Sequence, residues 1–314
     1  MVTNPSKSFK RAFVTGATGL VGTPLCSELA ARGVRVTAYS RSAEEIEFPL
    51  GVGPISGDIL DATSMVSAAD GCDVIFHVAA AVHGSATDYA EFEKVNVSGT
   101  ENAILAACAI GAKLVHVSTV NVEGFRSGDL KDDYASSKSR AEERVLEAVD
   151  NGLKAVIVRP ATVFGAEAGR AGLIIDRILD GSLKVLPAPS RMISPLWSTD
   201  LARAMIQAAL IGQSGCTYTV AGPTMSTGDF VRSVCESGGF KKPLLTIPGL
   251  LFAVPLQLAW WLTGVTRWKP PINVESLLNG SSHDGSEAAR LLGFEYSSIG
   301  EIFSPKSFKG HNHR

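Results

Sequence analysis

The chain has 314 residues, with 29 Lys+Arg against 31 Asp+Glu, 45% hydrophobic and 19% charged residues. That balance excludes a disordered or solvating chain, and a formal net charge of −2 denies it the basic footprint that nucleic-acid affinity requires. The length is about twice that of an ordinary domain, so one large or two intimate globular domains are expected.

Strand-like and helix-like patterns alternate through the first half. Residues 12–15 form a short apolar run, followed by glycines and a helix through Leu25, Leu29 and Ala30. Gly33 stops that helix, and 34–39 is the next β-branched run. Residues 74–78 read as a fully buried strand, and a helix over about 91–109 ends at Gly111. Strand patterns recur at 114–117 and 155–158, with a helix over about 134–149 between them. Strands alternating with helices of this length imply parallel strands and crossover helices. Past about Gly165, Pro, Gly and Ser break the chain into shorter pieces, with one clear helix near 199–210. The predicted fold is therefore α/β, a doubly wound parallel Rossmann sheet with a smaller, discontinuous C-terminal substrate-binding region. Residues 1–165 and about 197–224 are assigned to the sheet; about 166–196 and 225–314 are assigned to the substrate region.

Residues 250–265 read LLFAVPLQLAWWLTGV, nearly unbroken apolar sequence. A span needs about 20 residues, and Pro255 interrupts this one, so a buried helix pair or a hydrophobic substrate lid is expected. Peripheral membrane contact is the alternative, since Trp260, Trp261 and Trp268 with Lys269 suit an interface. The five cysteines show no CxxC spacing, which points to free thiols in a reducing compartment. With no apolar stretch ahead of residue 12, a cytoplasmic protein is expected.

The first strand runs directly into Thr15-Gly16-Ala17-Thr18-Gly19-Leu20-Val21-Gly22. Gly16 allows the sharp turn, Gly19 lets backbone approach a pyrophosphate, and Gly22 lets helix and strand pack closely. Thr18, Leu20 and Val21 complete a cradle whose helix N-terminus offers N–H groups to phosphate. No Lys-Ser/Thr pair follows the last glycine, which disfavours a nucleotide-triphosphate loop. At the end of the second strand a dinucleotide site for NAD places Asp or Glu; here stand Ser40 and Arg41. Without a carboxylate to repel it, a 2′-phosphate can pair with the guanidinium, so NADP(H) is expected over NAD(H).

Tyr134 and Lys138 stand at i and i+4, on one helix face. A phenol near pKa 10 is a poor proton carrier at neutral pH, and an ammonium one turn away is expected to lower it and to donate to the nicotinamide ribose. The strand before that helix ends in Val117-Ser118-Thr119, whose hydroxyls lie at the C-terminal sheet edge where such folds bind ligands. One of them can hold a substrate oxygen while Tyr134 transfers a proton.

With these residues in place, the chain resembles the extended short-chain dehydrogenase/reductases, the NAD-dependent epimerase/dehydratase family. The similarity runs from about Arg11 to Leu210 through TGATGLVG, GDILD, HVAA, NVSGT, VSTVNVEG, YASSK and RPATVFG, with a looser echo in EAARLLGF at 287–294. It implies that Asp58 and Ile59 contact adenine and that Ala79 and Ala80 line the ribose and phosphate side. It also implies that Pro160 and Val163 pack at the nicotinamide and that Thr119 is the catalytic hydroxyl. Asn96 joins the cofactor-site positions, with a bond across the sheet edge as its role. Family members often dimerise through two helices of the nucleotide-binding part, so a homodimer is implied.

The stretch between Thr119 and Tyr134 lacks the longer loop of many sugar-nucleotide members, and the apolar C-terminal segment is similar to the hydroxysteroid dehydrogenase branch. Ser40-Arg41-Ser42 is similar to the dihydroflavonol reductase branch. Arg170, Arg177 and Arg191 fall where the substrate roof is expected and read as solvated arginines. Phe164, Met192 and Trp197 read as core, and Asp200 with Arg203 as helix electrostatics. None of the six histidines shows metal-ligand spacing, so no metal is expected; His77 and His116, on buried strands, read as satisfied core residues. The expected activity is NADP(H)-dependent hydride transfer between the nicotinamide and a carbonyl or secondary alcohol of an apolar small molecule. Tyr134 is the acid/base, Lys138 tunes it and Thr119 orients the oxygen. The rivals are a nucleotide-sugar epimerase or dehydratase with retained cofactor, and a non-catalytic NADP(H)-sensing regulator.

Overall fold

The computed structural model describes residues 8–86, 88–165, 172–249, 251, 280 and 282–303. In chain order its first half comprises β1 (Arg11–Thr15), α1 (Gly22–Ala31), β2 (Arg35–Ser40), β3 (Val52–Ser56), α2 (Ala62–Ala68), β4 (Val74–His77) and α3 (Tyr89–Phe92). A π-helical stretch, Glu93–Ser98, leads into α4 (Gly99–Ile110), β5 (Lys113–Val117), α5 (Asn121–Ser127), α6 (Asp133–Asp150), β6 (Ala155–Pro160) and β7 (Val163–Phe164). Then come α7 (Gly172–Leu179), β8 (Val185–Pro187), β9 (Met192–Ile193), β10 (Leu196–Trp197), α8 (Ser198–Ile211), β11 (Thr217–Val220), β12 (Met225–Ser226) and α9 (Thr227–Gly238). The described chain closes with β13 (Leu245–Ile247), α10 (Ser286–Leu292) and α11 (Ile299–Ile302).

These elements form two compact units. The first holds the described residues of Met1–Glu167, Leu196–Val220 and Gly285–Glu295. Its seven strands are ordered β11-β6-β5-β4-β1-β2-β3, every pairing parallel. The order reverses between β1 and β4, which makes the crevice at their C-terminal ends the natural ligand position. One sheet face is an apolar row through Phe13, Ile75, Leu114 and Ala155, packed under Ala103, Ala107 and Val145 of α4 and α6. Two residues further along, the same face becomes polar: Thr15, His77 and His116 stand in register across β1, β4 and β5.

The expected strands and long helices are present, within one or two residues at most ends. Several elements escaped the sequence reading, among them β3, α2, α5 and β11 of the first unit. Strand β3 carries Gly53 and Pro54 and is mostly exposed at the sheet edge, where proline is tolerated, so it reads as loop. Helices α2 and α5 span only seven residues each, and β11 only four. Helix α10 packs on β11 and α8, so this stretch sits in the first unit, whereas the sequence reading placed it in the C-terminal region.

The second unit pairs β8 with β13 in parallel and β9 with β12 antiparallel, with α7, α9 and α11 around them. Ser194 Oγ is central to it, accepting from His283 N–H at 3.0 Å and bonding Thr224 Oγ1 at 2.8 Å. The apolar segment at 250–265 lies outside the described residues except for Leu251, as do Arg170 and the terminal histidines. Among the described residues no helix is long and apolar enough to cross a membrane.

Candidate active site

The glycine turn follows β1 as its spacing demands. Gly16 has φ +66°, and a Cβ there would stand 2.8 Å from the Ala79 backbone, so only glycine lets the turn rest on the loop after β4. A Cβ on Gly22 would fall 2.1 Å from Gly16 O, which fixes the third glycine by helix–turn packing. At Gly19 a Cβ would meet only Gly16 O, at 3.3 Å, so the outer side of the turn stays open. Helix α1 begins after Val21 with no side chain capping its N–H groups. Thr18, Leu20 and Val21 line the turn half-buried, and Gly19 is exposed.

At the end of β2, Ser40 Oγ is buried with no partner, and Arg41 is exposed and forms no ion pair among the described residues. Open turn, uncapped helix end and orphaned hydroxyl fit a dinucleotide. Asp58 is exposed and accepts from Leu60 N–H at 3.0 Å; Ile59 is buried against Gly99, and its carbonyl accepts from Asn102 at 2.8 Å. Ala79 and Ala80, half-buried, follow β4. Pro160 ends β6 and Val163 opens β7. The candidates from the loops therefore gather at the C-terminal edge of one sheet.

Asn96 sits in the π-helical stretch and is fully occupied. Its Oδ1 accepts from Ala81 N–H at 2.7 Å, and its Nδ2 donates to Ala81 O at 3.1 Å and to Ser137 Oγ at 2.9 Å. It ties the loop after β4 to α6, one residue from Lys138. Of the two strand-end hydroxyls, Thr119 Oγ1 accepts from Asn121 N–H at 3.3 Å, while Ser118 Oγ is buried without a partner among the described residues.

Helix α6 starts at a cap: Asp132 accepts from the N–H groups of Tyr134 and Ala135. The Tyr134 ring packs against Phe92, with centroids 5.9 Å apart, and edge-on to His83 at 5.4 Å. His83 Nε2 lies 3.2 Å from Asp132, so a histidine–carboxylate pair flanks the phenol. Lys138 is 1% exposed, and its Nζ lies 3.5 Å from His116 Nε2. One turn on, Glu142 is fully buried and bonded by Arg159 at 2.6 and 2.7 Å and by Arg126 at 3.1 Å. Arg159 also reaches Glu123 at 3.2 Å.

The electrostatics differ from the expectation in one respect. Burial, aided by the Asp132 charge, pushes the Tyr134 phenol up to about 12, and the Lys138 ammonium engages His116. Burial lowers Lys138 to about 8, against the pull of Glu142. His77 and His116 are both held well below the usual imidazole range by burial and by the Lys138 charge. Asp132, His83, His116 and Glu142 were absent from the sequence-derived site. Glu142 had a local signal in its i+4 spacing from Lys138, and Asp132 in its capping position two residues before Tyr134; His83 and His116 depend on pairing between elements.

Of the expected roof, Arg177 is exposed on α7, and the Arg191 guanidinium keeps a buried Nε without partner among the described residues. Phe164 and Trp197 are buried with ring centroids 6.0 Å apart, and Met192 is exposed. Asp200 and Arg203 pair at the start of α8.

Comparison with known proteins places these features in company. The model of the NAD dependent epimerase/dehydratase family matches residues 12–221. A 4-hydroxy-2-methyl-3-oxo-4-farnesyl-3,4-dihydroquinoline-1-oxide ketoreductase of Stigmatella aurantiaca is 33% identical over 76% of this chain and 76% of its own. A 2-alkyl-3-oxoalkanoate reductase of Stenotrophomonas maltophilia is 35% identical over 56% of this chain, and the match spans only 60% of that relative's length. Among solved structures, that of gox2253 is 26% identical, with a TM-score of 0.78 over 96% of this chain and 99% of that one.

Proposed function

Because the chain belongs to the NAD-dependent epimerase/dehydratase family and is an NAD(P)-dependent oxidoreductase, we propose that it reduces the carbonyl of an apolar small molecule, with NADPH as donor. The observation that carries this reading is the placement of Tyr134 on the same helix face as the buried Lys138, with burial holding the phenol proton in place. Such a phenol holds, at physiological pH, the proton that a developing alkoxide needs. The bound nicotinamide supplies the hydride.

The chain's own residues do the rest. Tyr134 delivers a proton from Oη to the substrate oxygen, and Thr119 or its neighbour Ser118 donates a hydrogen bond to the same oxygen. Lys138 keeps a positive charge near the reacting centre, and the glycine turn with the α1 N-terminus holds the pyrophosphate. Arg41, exposed and without an ion pair among the described residues, meets the 2′-phosphate. Two relatives whose names specify 3-oxo groups beside farnesyl or alkyl chains support an apolar ketone as substrate.

A panel of long-chain 3-oxo compounds and cyclic ketones, followed by NADPH absorbance, tests the reaction class. Stoichiometric loss of NADPH with ketone is expected; product formation with bulk NADPH unchanged would instead mean internal cofactor turnover, as in an epimerase. Cofactor choice is tested separately, by titrating Arg41→Ala with NADPH and NADH. The NADPH/NADH affinity ratio should fall at least about tenfold, as loss of a charge-assisted hydrogen bond of ~1.5–3 kcal/mol implies. An unchanged ratio would remove Arg41 from the site.

A further inference from the structure

The polar row on the sheet face under α6 is unusual in being made of neutral bases beside a buried cation. Thr15, His77 and His116 occupy one register row, all within 1% of full burial, and Lys138 reaches the far end of that row from the helix above. The hydrogen-bond pattern assigns the tautomers in it, that of His77 from a 2.9 Å contact and that of His116 from one of 3.5 Å. Thr15 Oγ1 already accepts from the N–H groups of Val78 and Ala79, at 3.1 and 3.2 Å. Its own proton therefore goes to His77 Nδ1, 2.9 Å away, and His77 carries hydrogen on Nε2. An ammonium can only donate, so His116 Nε2 is an acceptor and its hydrogen sits on Nδ1. The two imidazoles stack with centroids 5.7 Å apart, and their remaining nitrogens have no partner among the described residues.

We propose that His116 is a positioning residue for Lys138: its neutral imidazole accepts one ammonium proton at Nε2 and fixes the lysine one turn from Tyr134 without cancelling its charge. A carboxylate at this position would neutralise the ammonium in a tight ion pair; an imidazole orients it and leaves two N–H donors unspent. The row starts immediately before Gly16 at Thr15, whose hydroxyl also accepts from Ala79 N–H, so the cofactor turn and the lysine stand at the two ends of one row, hydrogen-bonded from Thr15 to His77 and stacked from His77 to His116. The groups facing Lys138 are His116 from β5, with His77 of β4 behind it, and Tyr134 and Glu142 from its own helix. Glu142 is in turn held by Arg126 of α5 and Arg159 of β6. None of the others is in hydrogen-bond contact with Nζ among the described residues, so the acceptor role falls to His116 alone.

The functional half of this inference rests on the assignment of Lys138 to carbonyl reduction; the structural half does not. Two measurements separate them. In protein carrying 13C-labelled lysine, with Lys138 assigned by its loss in Lys138→Met, the wild-type ammonium should titrate near about 8. In His116→Leu its pKa should fall by at least about one unit, a tenfold change in proton equilibrium, and His116→Gln should restore most of it by supplying an amide acceptor. An unchanged Lys138 titration in His116→Leu overturns the proposal. The wild-type protein provides a test that needs no variant: 15N shifts should show His116 as the neutral Nδ1–H tautomer, and an Nε2–H tautomer would equally overturn it. The basic limb of the kcat/KM pH profile should move with the titration. If the titration moves and that limb does not, His116 still holds Lys138, and it is the catalytic assignment of Lys138 that fails.

Discussion

Lys138 is the residue on which the site's chemistry and the fold's stability pull in opposite directions. An ammonium buried on all sides destabilises the folded state, which is why its pKa falls from the ordinary 10.5 to about 8. Below about 8 the lysine is charged in both folded and unfolded chains, and the fold bears the full penalty. Between about 8 and 10.5 the folded protein has released the proton while the unfolded chain still holds it, so this contribution makes stability rise with pH. Lys138→Met should therefore be more stable than wild type at pH 7, by about 1–4 kcal/mol, and abolish turnover. The gap in urea unfolding should shrink steadily as pH is raised from 8 to 10. A variant less stable than wild type at pH 7 would show that the ammonium is compensated by contacts stronger than the single His116 bond. Tyr134 and Lys138 were legible in the sequence because an i, i+4 pair declares itself on any helix. The role of His116 was not: its importance comes from register with His77 and Thr15 on two other strands, which no local pattern records. The sequence reading took both histidines as satisfied core, yet each keeps a nitrogen without a partner among the described residues.

At the level of elements, the site is assembled around two helix starts, those of α1 and α6. The β1–α1 turn carries three glycines, of which Gly16 and Gly22 are demanded by close backbone contacts while Gly19 leaves the outer side open, and it was readable because a buried strand and a helix flank it. The start of α6 is set by Asp132, which caps the helix and also loads negative charge beside the phenol. These two jobs can be separated, since asparagine caps a helix as well as aspartate does. Asp132→Asn should leave thermal stability within about 1 kcal/mol of wild type and lower the Tyr134 pKa from about 12. Phenolate absorbance on alkaline titration, with Tyr134 assigned by difference from Tyr134→Phe, reads the shift directly. An unmoved titration would assign the whole rise to burial. The elements that escaped the sequence share a cause: β3, α2, α5 and β11 are short or sit at the sheet edge, where few residues are buried and no period can build up.

Across the whole molecule, the sheet unit supplies every residue assigned here to cofactor binding and proton transfer, from Gly16 to Val163. The second unit is made of short strands and helices whose sequence has no sustained period, so no role could be read from spacing for its side chains. Its partner strands, β8 with β13 and β9 with β12, join segments more than thirty positions apart, pairings that only the folded chain reveals. The sheet, by contrast, was legible because parallel strands buried on both faces are continuous apolar runs separated by helices. The central claim is that this sheet edge hosts carbonyl reduction with Tyr134 as the proton donor. Its most direct test is Tyr134→Phe, assayed for NADPH affinity and for NADPH oxidation with the best ketone of the panel. Affinity within about twofold of wild type, with turnover reduced ~100-fold or more, is the predicted result; wild-type turnover in Tyr134→Phe would contradict it.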